Sequence, residues 1–186
     1  MPPEQQKLVL ITGAGSGIGR ELSIEAARRG MAVALCGRRQ DALEATALLL
    51  GTEASHLIIP ADITRPEDRR RIVGRIANER GSLNILINNA GIVEGGPLET
   101  FDDDALARAF QTNIIAPMAL TRDLMPLLVA AKPSRVVNVG SIFGDIGYPE
   151  FTCYSATKFA LRGFSIALRR EWKRKGISVT LSLIHI

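Results

Sequence analysis

With 186 residues, 46% of them apolar and 23% charged, the chain is long enough to bury a core as one globular domain, and no stretch reaches the roughly 20 apolar residues of a membrane span. Its formal charge of +4 does not argue for nucleic acid, because the excess lies largely in Arg169, Arg170, Lys173, Arg174 and Lys175, at one helix end where cations oppose the negative terminus. Two cysteines, Cys36 and Cys153, and two histidines, His56 and His185, offer neither a disulfide framework nor a metal-ligand cluster, and the N-terminal residues lack a secretory pattern, so the expected location is the cytoplasm and no metal is expected.

After a short tail, residues 1–6, the apolar run Leu8-Val9-Leu10-Ile11 predicts a strand. It leads into Thr12-Gly13-Ala14-Gly15-Ser16-Gly17-Ile18-Gly19 and an amphipathic segment from Ile18 to Arg29. Strand, glycine turn and helix in this order suit an anion: the turn brings bare N–H groups up to a diphosphate, and the positive helix end holds it. The common dinucleotide fingerprint G-x-G-x-x-G would need glycine where Ile18 stands, and the lysine of a phosphate-loop ATPase is missing.

Gly30 predicts a left-handed stop, and Met31 to Cys36 is continuously apolar, as a parallel strand covered on both faces reads. At its end, where proteins that use NAD place an acidic residue on the ribose hydroxyls, stand Gly37, Arg38 and Arg39. Gly37 leaves room for a 2′-phosphate and Arg38 offers it a charged fork, so the expected cofactor is NADP. Leu57-Ile58-Ile59 predicts a third strand running into Asp62, and Thr64-Arg65-Pro66-Glu67 reads as a capping box for a helix ending at Gly81.

Leu83 to Ile87 predicts the fourth strand, which delivers Asn88-Asn89-Ala90-Gly91. A second capping box, Thr100-Phe101-Asp102-Asp103, opens a helix through Phe110 and Asn113 to about Ala130. Pro117 lies inside it and has no N–H for the Asn113 carbonyl, so a kink and a carbonyl free for another partner are expected. Arg135 to Val139 predicts the fifth strand, ending in Gly140-Ser141. Tyr154 and Lys158 are four apart and share one face of the following helix, and a sixth strand begins at Ile177.

The pattern T-G-x-x-x-G-x-G, the strand-end N-N-A-G, Asn113, Ser141 and the Tyr154/Lys158 pair, in this order from Lys7 to about Thr180, resemble the short-chain dehydrogenase/reductase family. The resemblance implies an α/β fold: a doubly wound, Rossmann-like parallel sheet in a three-layer α/β/α arrangement, one domain over residues 1–186, cut off after the sixth strand. It implies an NADP-dependent oxidoreductase interconverting a carbonyl compound and its alcohol. Cofactor contacts carry over to Gly13, Gly15, Ser16, Gly17, Ile18, Gly19, Arg38, Asp62 at the adenine, Asn89, Ala90, Gly91, Tyr154 and Lys158. Catalytic roles carry over to Asn113, whose main chain holds a water, Ser141, which holds the carbonyl oxygen, Tyr154 as general acid/base, and Lys158.

A free tyrosine titrates near pH 10, and a neighbouring cation lowers such a group by about 1–3 units, so Lys158 is expected to depress Tyr154. The mostly apolar stretch from Ile142 to Pro149 beside Ser141 implies a hydrophobic small-molecule substrate. Homodimers or homotetramers are implied, pairing through the helices from Asp103 to Ala130 and from Tyr154 to Lys175, with no nucleic acid and no membrane as partners. A non-catalytic NADP-binding sensor and an epimerase or dehydratase of the same fold are the alternatives.

The resemblance stops near Thr180. The last six residues, Leu181-Ser182-Leu183-Ile184-His185-Ile186, are what CTGTCTCTTATACACATC encodes, a transposon end used in sequencing-library adapters. The expectation is non-native read-through over residues 181–186 and a longer parent, with the fragment itself inactive and its apolar edge strand prone to recruit others.

Overall fold

The strand β1, Leu8–Thr12, is buried at every position because helices cover both faces of the sheet it centres. The computed structural model describes residues 6–51 and 55–183. Around β1 lie β2, Ala32–Gly37, and β3, Leu57–Pro60, on one side, with β4, Ile85–Asn88, β5, Ser134–Val139, and β6, Ile177–Ser182, on the other. The order is β3-β2-β1-β4-β5-β6 and all neighbours are parallel, so this is the doubly wound α/β sheet that the sequence implies. The order reverses between β1 and β4, and the crevice at the carboxyl ends of these strands is where such sheets bind ligands.

Alternation along the strands divides the core in two. Leu8, Leu10, Ala34, Leu86 and Val136 point to one face and pack with the helices α3, Pro66–Arg80, α5, Ala116–Ala130, and α6, Thr152–Trp172. Val9, Ile11, Val33 and Leu35 point to the other, under α1, Gly17–Arg28, and α2, Gln40–Ala47. On this second face Arg135, Ser178 and Thr180 of β5 and β6 are exposed. Leu181 and Ser182 continue β6 opposite Asn138 and Val139. Residues 1–5 of the expected tail and residues 184–186 of the adapter-like end lie outside the described residues.

Both capping boxes differ from expectation. Pro66, whose fixed φ suits the first helical position, makes Arg65 the residue before α3, and the Thr64 hydroxyl donates instead to Asp62 Oδ1 at 2.7 Å. Before α4, Asp103–Phe110, the cap is Asp102, whose carboxylate accepts from the Ala105 N–H at 2.6 Å, while the Thr100 hydroxyl donates to the Pro97 carbonyl. The helix opened by Tyr154 in the sequence reading begins at Thr152 and so includes Cys153.

Instead of a kink at Pro117, the chain inserts a π turn, Gln111–Ile115, between α4 and α5, in which the Ala116 N–H reaches back five residues to the Gln111 carbonyl. The extra residue moves Pro117 into the first turn of α5, where a missing N–H costs little. Pro126, deeper in α5, escaped the sequence reading. The run Asp103–Ala130 is thereby one helical stretch, long and apolar enough to cross a membrane, contrary to the composition argument. Its stripe Ala116, Leu120, Leu124 and Leu128 is fully buried on the sheet, which accounts for the apolarity as core.

One sheet contact is made by a titratable side chain. The β2–β3 ladder begins at Ala34 and Leu57, and the Val33 N–H just before it donates to His56 Nδ1 at 3.1 Å. Burial, then the Arg80 guanidinium, lower the His56 pKa below its usual 6.5. The folded chain thus refuses a proton that the unfolded chain takes up, so this contribution is complete above pH 6.5 and is lost as pH falls through the lower folded-state value. Urea midpoints measured between about pH 7.5 and about pH 5 should fall with acidification, and His56→Gln, which keeps an acceptor and removes the titration, should flatten that fall. An unchanged pH slope in the variant would assign the acid sensitivity to other groups.

Candidate active site

A cleft of about 1050 Å³ opens at the carboxyl ends of β1, β2, β3 and β4, lined by Gly13, Gly15, Ser16, Ile18, Arg38, Asp62, Asn89, Ala90 and Gly91 among others. Its floor is the start of α1. Ser16 precedes that helix in extended conformation without capping it, and no acidic residue stands in the first turn, so no side chain competes for the positive end. Four of the expected contact residues, Gly17, Gly19, Tyr154 and Lys158, do not line the cleft. Gly17 supplies a left-handed φ of +51°, and Gly19 lets α1 approach the turn, since a Cβ there would run into the Gly13 carbonyl and the Asn89 amide. Gly19 is therefore required by protein packing rather than by room for phosphate.

The N-N-A-G segment is stapled to β1. The Asn89 and Ala90 N–H groups both donate to Thr12 Oγ1 at 3.0 Å, and Asn89 Nδ2 donates to the Thr12 carbonyl at 2.9 Å. Asn88 points inward instead, where its Nδ2 donates to Asn138 Oδ1 at 2.8 Å and Thr121 Oγ1 at 2.9 Å. Asn138 Nδ2 in turn donates to Ser165 Oγ of α6 at 2.8 Å.

Opposite α1, Asp62 is held by its own loop. Its Oδ1 accepts from the Thr64 N–H and hydroxyl at 3.0 and 2.7 Å. Buried Arg69 fixes that loop by donating to the Ile63 carbonyl at 2.9 Å while pairing with Asp123 of α5 at 3.2 Å. Burial acts to raise the Asp62 pKa, but the two Thr64 hydrogen bonds and the cations Arg38 and Arg65 outweigh it and hold the carboxyl below its usual value. Arg38 itself is exposed at the cleft mouth, directly after Gly37.

The other expected residues gather beyond Ile92. Asn113, 2% exposed within the π turn, accepts from the Ile92 N–H at 2.8 Å and donates to the Ile92 carbonyl at 2.9 Å and to Thr157 Oγ1 at 3.2 Å. The Thr157 hydroxyl donates to the Tyr154 carbonyl at 2.7 Å, so Asn113 and the turn of α6 between Tyr154 and Lys158 are joined through one hydroxyl. Thr157, Asn138 and Thr12 carry this geometry together with Asn88 of the N-N-A-G segment, and sequence reasoning assigned the first three no site role. Their signal was a polar residue at the end of an otherwise apolar strand, or within the Y-x-x-x-K turn.

Ser141 follows β5 and its Oγ accepts from the Phe143 N–H at 3.2 Å. The short helix Ile142–Gly144 lies directly on α6: a Cβ at Gly144 would sit 2.9 Å from the Lys158 carbonyl. This contact brings the Ser141 side chain near enough to Tyr154 to act on its pKa. Lys158 Nζ donates to the Val139 carbonyl at 2.9 Å and lies 5.5 Å from the Tyr154 ring centroid. The pKa expectation is reversed. Burial raises Tyr154 above its usual 10, opposed only by the nearby Ser141 side chain, and burial lowers Lys158 to about 8.

Residues 7–183 match the sequence model of a family described as short chain dehydrogenase. The chain is 30% identical over 177 residues to the 3-oxoacyl-(acyl-carrier-protein) reductase FabG of Haemophilus influenzae, covering 95% of this chain and 72% of that protein. It is 36% identical over 185 residues to the dehydrogenase/reductase SDR family protein 7-like of Anopheles gambiae, covering 94% and 57%. Of these two relatives the chain thus spans 72% and 57% of the length. Among solved structures, the bulky-bulky ketone specific alcohol dehydrogenase from Comamonas testosteroni superposes with a TM-score of 0.89 at 30% identity, over 98% of this chain and 74% of that one.

The Thr157 bridge is open to test. Thr157→Val keeps the shape, removes the hydroxyl and strands the Asn113 amide in a buried site, so it should cost about 1–3 kcal/mol of unfolding free energy in urea titration, and Thr157→Ser should recover most of that. Wild-type stability in the valine variant would mean that the hydroxyl does not join the two elements.

Proposed function

The chain belongs to the short-chain dehydrogenase/reductase family, and on that premise we propose that it is an NADP-dependent oxidoreductase that reduces a hydrophobic carbonyl compound to its alcohol, with Tyr154 as proton donor. The observation that carries the reading is the convergence of three buried side chains: Ser141, near enough to Tyr154 to act on its pKa, and Lys158, whose Nζ lies 5.5 Å from the Tyr154 ring centroid. The cleft fits a dinucleotide in its donor set: an uncapped helix N-terminus for the diphosphate, the fixed carboxylate of Asp62 for an amino-bearing ring, and Arg38 behind Gly37 for a 2′-phosphate. Bound there, the cofactor supplies a hydride for the carbonyl carbon.

This chain's own groups do the rest. Ser141 orients the carbonyl oxygen, and Tyr154 donates a proton to it. A phenol whose pKa lies above 10 is protonated at neutral pH, which is the form that a donor needs. Lys158 Nζ lies 5.5 Å from the centroid of that ring, anchored to the Val139 carbonyl. As the alkoxide forms and Tyr154 becomes phenolate, a cation there stabilises the developing charge in a place from which water is largely excluded. Asn113 holds the carbonyl of Ile92 and the turn of α6 in register, and its main chain is the proposed seat of the water that passes protons to Lys158. The intact protein is read as a dimer or tetramer, and exposed Ile115, Met118, Phe159 and Ile166 along α5 and α6 and the turn before them support pairing through that face.

Replacing Tyr154 by Phe in the intact protein should leave cofactor affinity within a few-fold and lower turnover by about 10²-fold or more, the contribution typical of general acid–base help. Undiminished turnover would remove Tyr154 from the chemistry. Arg38→Ala should weaken NADPH by about 1.5–3 kcal/mol and leave NADH nearly unchanged. Dissociation constants for both cofactors decide this, and equal losses, or tighter NADH than NADPH binding by the wild type, would refute the NADP assignment.

A further inference from the structure

Three aromatic rings, Phe143, Tyr148 and Phe151, cluster beside Tyr154, and they are not needed for any step above. Phe143 stacks on Tyr148, with ring centroids 5.2 Å apart and planes within 9°. It also meets Phe151 at 5.2 Å and stands edge-on to the Tyr154 ring at 6.1 Å and 81°. Phe143 is thus the common neighbour of the exposed Tyr148 and the proton-donating Tyr154. Tyr148 is 55% exposed, and Ile146 at 60% and Ile142 at 36% extend the apolar surface around it. A parallel stack with an open ring is a poor way to finish a hydrophobic core and a good way to receive another ring, because offset stacking gains attraction beyond the area covered.

The segment that carries these rings is held in place at several points. Asp145 pairs with Arg162 of α6 at 2.8 Å. The Glu150 carbonyl accepts from the Gly96 N–H at 2.6 Å, with Glu150 at a left-handed φ of +65° that a non-glycine residue adopts only when its surroundings demand it. Phe151 packs on Gly95, where a Cβ would lie 3.0 Å from its ring. Two loops are thereby clasped together so that the stack is formed in advance of any ligand, and a preformed surface loses less on binding than one that must be ordered.

We infer that Phe143 and Tyr148 form a ring-binding shelf beside Tyr154, and that the substrate class is an aryl carbonyl, a compound with a flat aromatic ring on or close to its carbonyl carbon. The carbonyl half of this inference rests on the proposed reductase function. The shelf itself rests only on the ring geometry and its tethers.

The test uses acetophenone as aryl probe and 2-butanone as alkyl probe on the intact protein, with Tyr148→Ala and Tyr148→Phe. Tyr148 is exposed, so neither change threatens the core. Acetophenone binding, followed by calorimetry or saturation-transfer NMR, should weaken about five- to tenfold in Tyr148→Ala and stay within about twofold in Tyr148→Phe, which keeps the ring. The ratio of kcat/KM for acetophenone to that for 2-butanone with NADPH should fall by a similar factor in the alanine variant alone. Equal acetophenone binding in wild type and Tyr148→Ala, or none in wild type, overturns the shelf. Tyr148-dependent binding without NADPH-dependent turnover of either ketone keeps the shelf and sinks the reductase reading instead.

Discussion

A row of buried amides and hydroxyls crosses the carboxyl ends of β4 and β5 and reaches α6: Thr121 to Asn88, Asn88 to Asn138, Asn138 to Ser165. In an interior of low dielectric such a row is strong when every member is paired and costly when one is removed, since each lost partner leaves a desolvated group worth about 1–3 kcal/mol. It also has direction. Apolar packing alone would tolerate α6 sliding along the sheet, whereas the bond from the Asn138 amide to the Ser165 hydroxyl fixes its depth and rotation. Because α6 carries Tyr154 and Lys158, and β5 leads straight into Ser141, that depth decides whether the two hydroxyls meet.

A second constraint enters from the opposite side. Pro117 cannot donate to Asn113 in α-register, and the chain answers by adding a residue to one turn rather than by bending. The result is that Asn113 turns its carboxamide inward, where it closes a two-way pair with Ile92 and reaches Thr157. Local frustration at one proline is thus spent in orienting a polar side chain between two elements. That a helical defect needs a partner is readable in the residues themselves. That the chain resolves it with a π turn depends on how α4 and α5 pack on α6, and no local pattern contains that.

The same division runs through the molecule. The strands and their two-sided burial follow from apolar runs with no polar alternation, and the glycine turn follows from spacing, because these are properties of contiguous residues. The caps were misplaced because Thr64 and Thr100 had alternative acceptors within three residues, Asp62 and Pro97, that a pattern of identities cannot rank. The aromatic shelf joins Phe143, Tyr148, Phe151 and Tyr154 through a loop whose course is set by the Glu150 and Gly96 clasp, so their proximity in sequence did not foretell a parallel stack.

The reversal at Tyr154 is the sharpest case, because two known effects compete. A cation near a phenol lowers its pKa by about 1–3 units, and burial raises it by a comparable amount, so distance and solvent decide the sign. Lys158 spends its hydrogen bond on the Val139 carbonyl, lies 5.5 Å from the ring centroid, and is itself pushed to about 8 by burial, which weakens it as a fixed positive charge. Burial therefore wins at Tyr154. The consequence is a polarised site: charged and donor-rich at Arg38, Asp62 and the α1 terminus, apolar and aromatic at Phe143 and Tyr148, with one protonated phenol at the boundary between them. A molecule held by its phosphates at one end and another held by its ring at the other would meet at that phenol.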